Sequence, residues 1–155
     1  MTEEFTKKYD YAWDKYSKDD MNKVNGLSEN YRLFMSNCKT ERECTREFVL
    51  MAEKDGYKNL NNLIKDDTKL KAGDKVYAIN MDKSIALFLI GSEPFEKGLK
   101  ILGAHIDSPR LDLKQNPLYE DTDLALLKTH YYGGIKKYQW VTIPLAIHGD
   151  RKSTR

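Results

Sequence analysis

Apolar positions along this chain change their period once. From residue 1 to about 64 they recur at helical spacing, with Phe5, Tyr9, Ala12, Trp13 and Tyr16 on one stripe and Tyr31, Phe34, Met35 and Cys38 on another. Ser28 is placed to cap the second helix. The third has the clearest start, because Thr40 and Glu43 in TERE fit a capping box, and Gly56 after LMAEKD fits the glycine that ends a helix. Three helices are predicted, and their aromatic stripes read as surfaces to be covered by core or by a partner.

After the polar link NLIKDDTKLKAG the pattern becomes that of strands punctuated by turns. DKVYAIN and SIALFLIG, separated by MDK, predict a β-hairpin. GSEPFEKG reads as a loop and KILGAH as a short buried strand. RLDLKQ alternates as a half-buried strand should, NPLYEDTD reads as loop, and LALLKTHYY and KYQWVTIPLAIHG as two further strands around GG. Helices first and strands afterwards predict an α/β fold with an α+β-like arrangement. No repeat or low-complexity segment interrupts it.

Composition narrows the function classes. At 155 residues the chain has a one-domain length. With 32% charged residues, 40% hydrophobic ones and a net charge of +2, it lacks the basic field that would indicate a nucleic-acid partner. No apolar stretch approaches the roughly 20 residues that span a bilayer. The start MTEEFTKKYDYAW is acidic and aromatic where a signal peptide would be basic and then apolar, so a cytoplasmic protein is expected. Cys38 and Cys44 form no CxxC unit and read as reduced, structural thiols.

The candidate chemistry sits in LKILGAHIDSPR. In extended chain, residues i and i+2 project to the same side, so His105 and Asp107 would point together from the end of the KILGA strand. That suits a metal ligand and the carboxylate that orients it, since a ligating imidazole usually donates its other N–H to such a partner. A polar residue closing a core segment fits the same pattern, and spacing alone leaves both open. His130 and His148 read as hydrogen-bonded structural residues. Glu3-Glu4 suits the first turn of a helix, and Asp19-Asp20 and Asp66-Asp67 read as solvated surface.

The run GAHIDSPRLDLKQNPLYEDTDLALLKTHYYGGIKKYQWVTIPLAIHG, above all HIDSPRLDLKQNP, LKTHYYGG and KKYQW, resembles the aspartyl aminopeptidase family of dinuclear zinc exopeptidases, in particular its bacterial branch. ENYRLFMSNCKTERECTREFVLMAEKDGY is similar to that family's N-terminal helices. The resemblance implies that His105 ligates zinc and that Asp107 supports it within the catalytic machinery. It implies a zinc-dependent aminopeptidase that removes N-terminal residues from peptides, with two divalent ions and a homo-oligomeric assembly in the complete enzyme. Residues 1–149 would then be the N-terminal part of the catalytic domain, and 150–155, DRKSTR, a tail that does not resemble the family. The bridging carboxylate, the remaining ligands and the general base that such chemistry needs belong, by the same resemblance, to sequence downstream of Gly149. A fragment inactive alone is therefore expected. The alternative is a truncated, non-catalytic interaction or assembly module acting through its aromatic helix and an open β edge.

Overall fold

The computed structural model describes residues 9–149, which fall into two units that divide between Asn37 and Cys38. In the first unit, the predicted stripe that begins at Phe5 lies partly outside the described residues; its described part forms only one helical turn, α1, Ala12–Lys15. Trp13 and Tyr16 meet edge to face there, with ring centroids 5.7 Å apart. The chain then enters α2, Lys18–Asn37, which starts ten residues before the predicted cap at Ser28 and leaves that serine inside the helix. The reason lies at Ser17. Its hydroxyl accepts the Asp20 amide at 3.2 Å, and the Asp20 carboxylate accepts the Ser17 amide at 3.1 Å and its hydroxyl at 2.7 Å. This reciprocal cap satisfies donors that a helix start otherwise leaves unpaired. The hydrogen bonds from Ser17 also hold the Asp20 carboxyl below its ordinary range. Gly26, which costs roughly 1 kcal/mol relative to alanine in a helix interior, does not interrupt α2.

The second unit opens with α3, Glu41–Lys54, bounded as its sequence predicts. Thr40 Oγ1 accepts the Glu43 amide at 3.3 Å, while the Glu43 carboxylate accepts the Thr40 and Lys39 amides at 3.0 and 2.7 Å. At the other end, Gly56 takes a φ of +85°. Its amide reaches the Glu53 carbonyl at 3.0 Å and that of Tyr57 reaches Ala52 at 2.9 Å, the paired closure for which a left-handed residue is needed.

A three-stranded sheet follows, in the order β1 (Lys58–Asn59), β2 (Lys75–Asn80), β3 (Ser84–Leu89). The first pair is parallel and the second antiparallel. The short helix α4, Leu60–Lys65, leaves β1 and occupies part of the segment read as a polar link. β2 is the central strand, and among the described residues its Val76 and Tyr77 are buried together with Cys38, Cys44, Thr45 and Ala52. Sheet and helix are tied at Tyr77, whose hydroxyl donates to Glu53 at 2.7 Å, and at Lys75, whose Nζ donates to the Asp55 carboxylate at 2.8 Å. The bond to Glu53, helped by burial, raises the Tyr77 phenol above its ordinary range. The predicted hairpin is present, with Met81 and Asp82 both left-handed at φ 52° and 57°.

Three strand assignments are corrected. KILGAH forms no strand: residues 98–109 carry no ladder, and Ile101 and Leu102 stand in solvent. An apolar run of strand length becomes a strand only where a neighbour supplies hydrogen bonds, and among the described residues none lies beside it. NPLYED, read as loop, instead continues β4, Arg110–Asp121, which pairs antiparallel with β5, Leu124–Tyr132. The register shifts between Leu113 and Leu118, and this irregularity accommodates Pro117, which has no amide to give a ladder. KYQWVTIPLAIHG, read as a strand, gives one helical turn, α5, Lys137–Trp140, and then irregular chain. Among the described residues no helix is long and apolar enough to cross a membrane.

Candidate metal centre

After a short 3-10 turn at Phe95–Lys97, the chain runs without regular structure to the start of β4, and His105 lies on this run. The expected pairing with Asp107 is present, although no strand carries it. His105 Nδ1 lies 2.9 Å from the Asp107 backbone carbonyl oxygen and 3.4 Å from its carboxylate Oδ1. A carbonyl oxygen only accepts, so Nδ1 carries a hydrogen, and in the neutral ring the lone pair is then on Nε2. The imidazole is 85% exposed, against 37% for the Asp107 side chain. An imidazole fixed through Nδ1 and open at Nε2 fits zinc, which takes neutral histidine nitrogen. Among the described residues, no group of three or more His, Cys, Asp or Glu gathers to complete a metal site.

The motif is held mainly by the first turn of α3. The Cys44 thiol donates to the Ile106 carbonyl at 3.8 Å. Arg110 Nη1 reaches Glu41 at 2.9 Å, while its Nε reaches Asp112 at 2.8 Å. The guanidinium also lies over the Tyr132 ring, 4.1 Å from its centroid. Burial works against the Arg110 charge, but Asp112 and Glu41 outweigh it and raise its proton affinity. Pro109 packs against Gly133, where an added Cβ would stand 3.4 Å from the proline Cα and where φ is +75°. Burial pushes the Cys38 and Cys44 thiols up; both are free cysteines, inert in character as thiols that ionise with difficulty are.

The other candidates separate clearly. His148 Nδ1 lies 2.6 Å from Glu43 Oε1, giving it the structural partner expected of it. His130 is exposed, with Nδ1 3.0 Å from the Tyr131 carbonyl, and lines a shallow groove with Leu113, Lys114, Gln115, Asn116 and Lys128. Among the described residues neither belongs to a group of three or more possible metal ligands. Asp19 and Asp20 head α2, and Asp66 and Asp67 close α4 on an exposed surface. Glu3 and Glu4 lie outside the described residues. Sequence reasoning missed Arg110, Glu41 and Gly133. The pattern HIDSPR marks Arg110 only as a neighbour of the motif, and its partner Glu41 lies 69 residues away.

Residues 34–151 match the family described as aminopeptidase I zinc metalloprotease (M18). The chain is 61% identical over 149 residues to a Clostridium acetobutylicum protein named "Probable M18 family aminopeptidase 1", covering 96% of this chain and 32% of that one. Its fold is similar to the crystal structure of aminopeptidase I from Borrelia burgdorferi B31, with a TM-score of 0.80, 39% identity, and coverage of 87% of this chain and 32% of that one. It is similar too to the crystal structure of aminopeptidase I from Clostridium acetobutylicum, with a TM-score of 0.73, 61% identity, and coverage of 90% and 30%. The chain thus spans about a third of the length of the relatives it matches.

Proposed function

Since this chain belongs to the M18 family of aminopeptidase I zinc metalloproteases, we propose that it supplies the first ligand arm of a zinc-dependent aminopeptidase, with His105 as ligand and Asp107 as the residue that orients it. The observation that carries the reading is the clasp of His105 Nδ1 by Asp107, 2.9 Å to its carbonyl, on an imidazole otherwise open to solvent. Held this way, the ring cannot turn Nδ1 toward an ion, and Nε2 is the nitrogen presented. The chemistry that a zinc ion would supply there is acidification of a bound water and polarisation of a peptide carbonyl. The Asp107 carboxylate, 3.4 Å from Nδ1, adds negative charge on the far side of the ring and strengthens Nε2 as a donor. The remaining ligands, a second ion, the general base and a homo-oligomeric assembly are assigned to the complete protein, whose substrates are peptides with a free N-terminus.

The test is turnover of aminoacyl substrates by the complete protein that contains this chain. Activity is expected to disappear with a chelator, to return with zinc, and to fall at least a thousandfold in His105→Ala, on the order of a lost catalytic element. Unchanged turnover in the alanine variant would refute the assignment. A second reading, a non-catalytic assembly module, draws on the exposure of Ile101, Leu102, Leu118, Val141 and Ile147, since apolar surface of this extent marks contact sites. Self-association of the isolated 155-residue chain, with no zinc bound, would favour that reading.

A further inference from the structure

The segment that carries His105 has no ladder to hold it, yet a metal ligand needs a position fixed to a fraction of an ångström. The restraints must come from contacts near the motif, and two that lie just after His105 lead to one turn of helix. One residue after His105, the Ile106 carbonyl accepts the Cys44 thiol at 3.8 Å. Five residues after His105, Arg110 reaches Glu41 at 2.9 Å and Asp112 at 2.8 Å with two different nitrogens of its fork. Glu41 and Cys44 belong to a turn that is itself fixed by the Thr40–Glu43 capping box.

We infer that the Arg110–Glu41 pair is a positioning clamp that sets the His105 imidazole for metal, by pinning the chain that leaves the motif to the capped start of α3. The inference rests on the ligand assignment for His105. Glu41 and Arg110 are 20% and 29% exposed, so their attraction is screened less than that of a surface pair. Arg110 divides its fork between two carboxylates while its plane stacks on Tyr132. A lysine ammonium, a point charge on a flexible stem, cannot reproduce that geometry. Between Arg110 and His105 lie only four residues, one of them Pro109, whose ring fixes φ and which is seated against Gly133. A shift at Arg110 is therefore transmitted to the histidine with little slack.

The experiment is a double-mutant cycle read in zinc affinity, measured by competition with a chromophoric chelator on the complete protein that contains this chain. Thermal unfolding is followed in parallel. Glu41→Gln and Arg110→Met are each expected to weaken zinc binding about tenfold, the lower end of the effect of removing an outer partner of a ligand. The double variant should be no weaker than the worse single, and Arg110→Lys should fall between wild type and Arg110→Met. Zinc affinity within twofold of wild type in both singles, whatever happens to the melting temperature, would show a purely structural ion pair and overturn the clamp. So would losses that multiply in the double variant. If Arg110→Met does not fold, the isosteric Glu41→Gln decides alone, tenfold weakening against no change. His105→Ala is the control: if it leaves zinc affinity intact, the ligand assignment fails and the clamp with it. If it abolishes binding while the clamp variants do not change it, only the clamp fails.

Discussion

His105 owes its tautomer to a backbone atom as much as to a side chain. The Asp107 carbonyl is the nearer partner at 2.9 Å, and the carboxylate stands at 3.4 Å. Asp107→Asn keeps the carbonyl and removes the charge, so it should weaken zinc binding by about tenfold, well short of the complete loss expected for His105→Ala. The same chelator competition checks both, and equal losses would contradict this division of roles. Gly133 is a second position decided by one atom. A Cβ there meets Pro109 at 3.4 Å on a backbone with φ +75°. Gly133→Ala should therefore destabilise the protein by about 1–2 kcal/mol, the cost of forcing a side chain into the left-handed region, as measured by denaturant unfolding. At this scale the closeness of His105 to Asp107 was legible, because two residues of spacing contain it. Arg110 and Gly133 were not, because what makes them necessary lies far along the chain, at Glu41 for one and Pro109 for the other.

Elements with local determinants formed where the pattern placed them. The α3 helix is the clearest case: its capping box and terminal glycine are both short-range chemistry, and both are present. Thr40→Ala should cost about 1 kcal/mol in unfolding free energy and loosen the turn that carries Glu41 and Cys44. The hairpin between β2 and β3 was also legible, although its turn uses Met81 at φ 52°, a conformation that asparagine or glycine takes more readily. Met81→Asn is accordingly expected to raise stability by a few tenths of a kcal/mol, by easing strain of the kind left-handed residues carry. KILGAH and KYQWVTIPLAIHG failed for the opposite reason. Their apolar residues satisfy a strand pattern, but a strand is a relation between two segments, and the described chain provides no second one. Ser28 lost its predicted role to Ser17, whose partner Asp20 stands three residues on, the spacing that makes a cap reciprocal.

At the scale of the molecule, α3 joins stability to the candidate site. Glu43 is partly desolvated, which favours its neutral form, yet hydrogen bonds from the Lys39 amide, His148 and the Thr40 amide outweigh this and hold its pKa below the ordinary 4.5. A carboxyl whose folded pKa is depressed stabilises the fold fully above its unfolded value, and that contribution is lost as pH falls through the folded one. Acid unfolding below about pH 4.5 should thus be less steep in Glu43→Gln than in wild type, by melting temperatures across pH 3 to 6. Identical pH profiles would show that Glu43 does not contribute to the acid stability. Among the described residues the buried ones are few and lie in and around α3 and β2, while the chain spans about a third of its relatives' length. The α/β class was legible in the change of period along the sequence. The proposed zinc role of His105 rests on the resemblance of HIDSPR and its surroundings, and among the described residues no group of three or more His, Cys, Asp or Glu gathers.

His105 is proposed to bind zinc through Nε2. Crystals of the complete protein, measured at the zinc absorption edge, would locate the ion directly. An anomalous peak is expected about 2.0–2.1 Å from His105 Nε2, with Nδ1 still hydrogen-bonded to Asp107. Zinc bound elsewhere with the His105 ring unliganded, or bound to Nδ1, would contradict it.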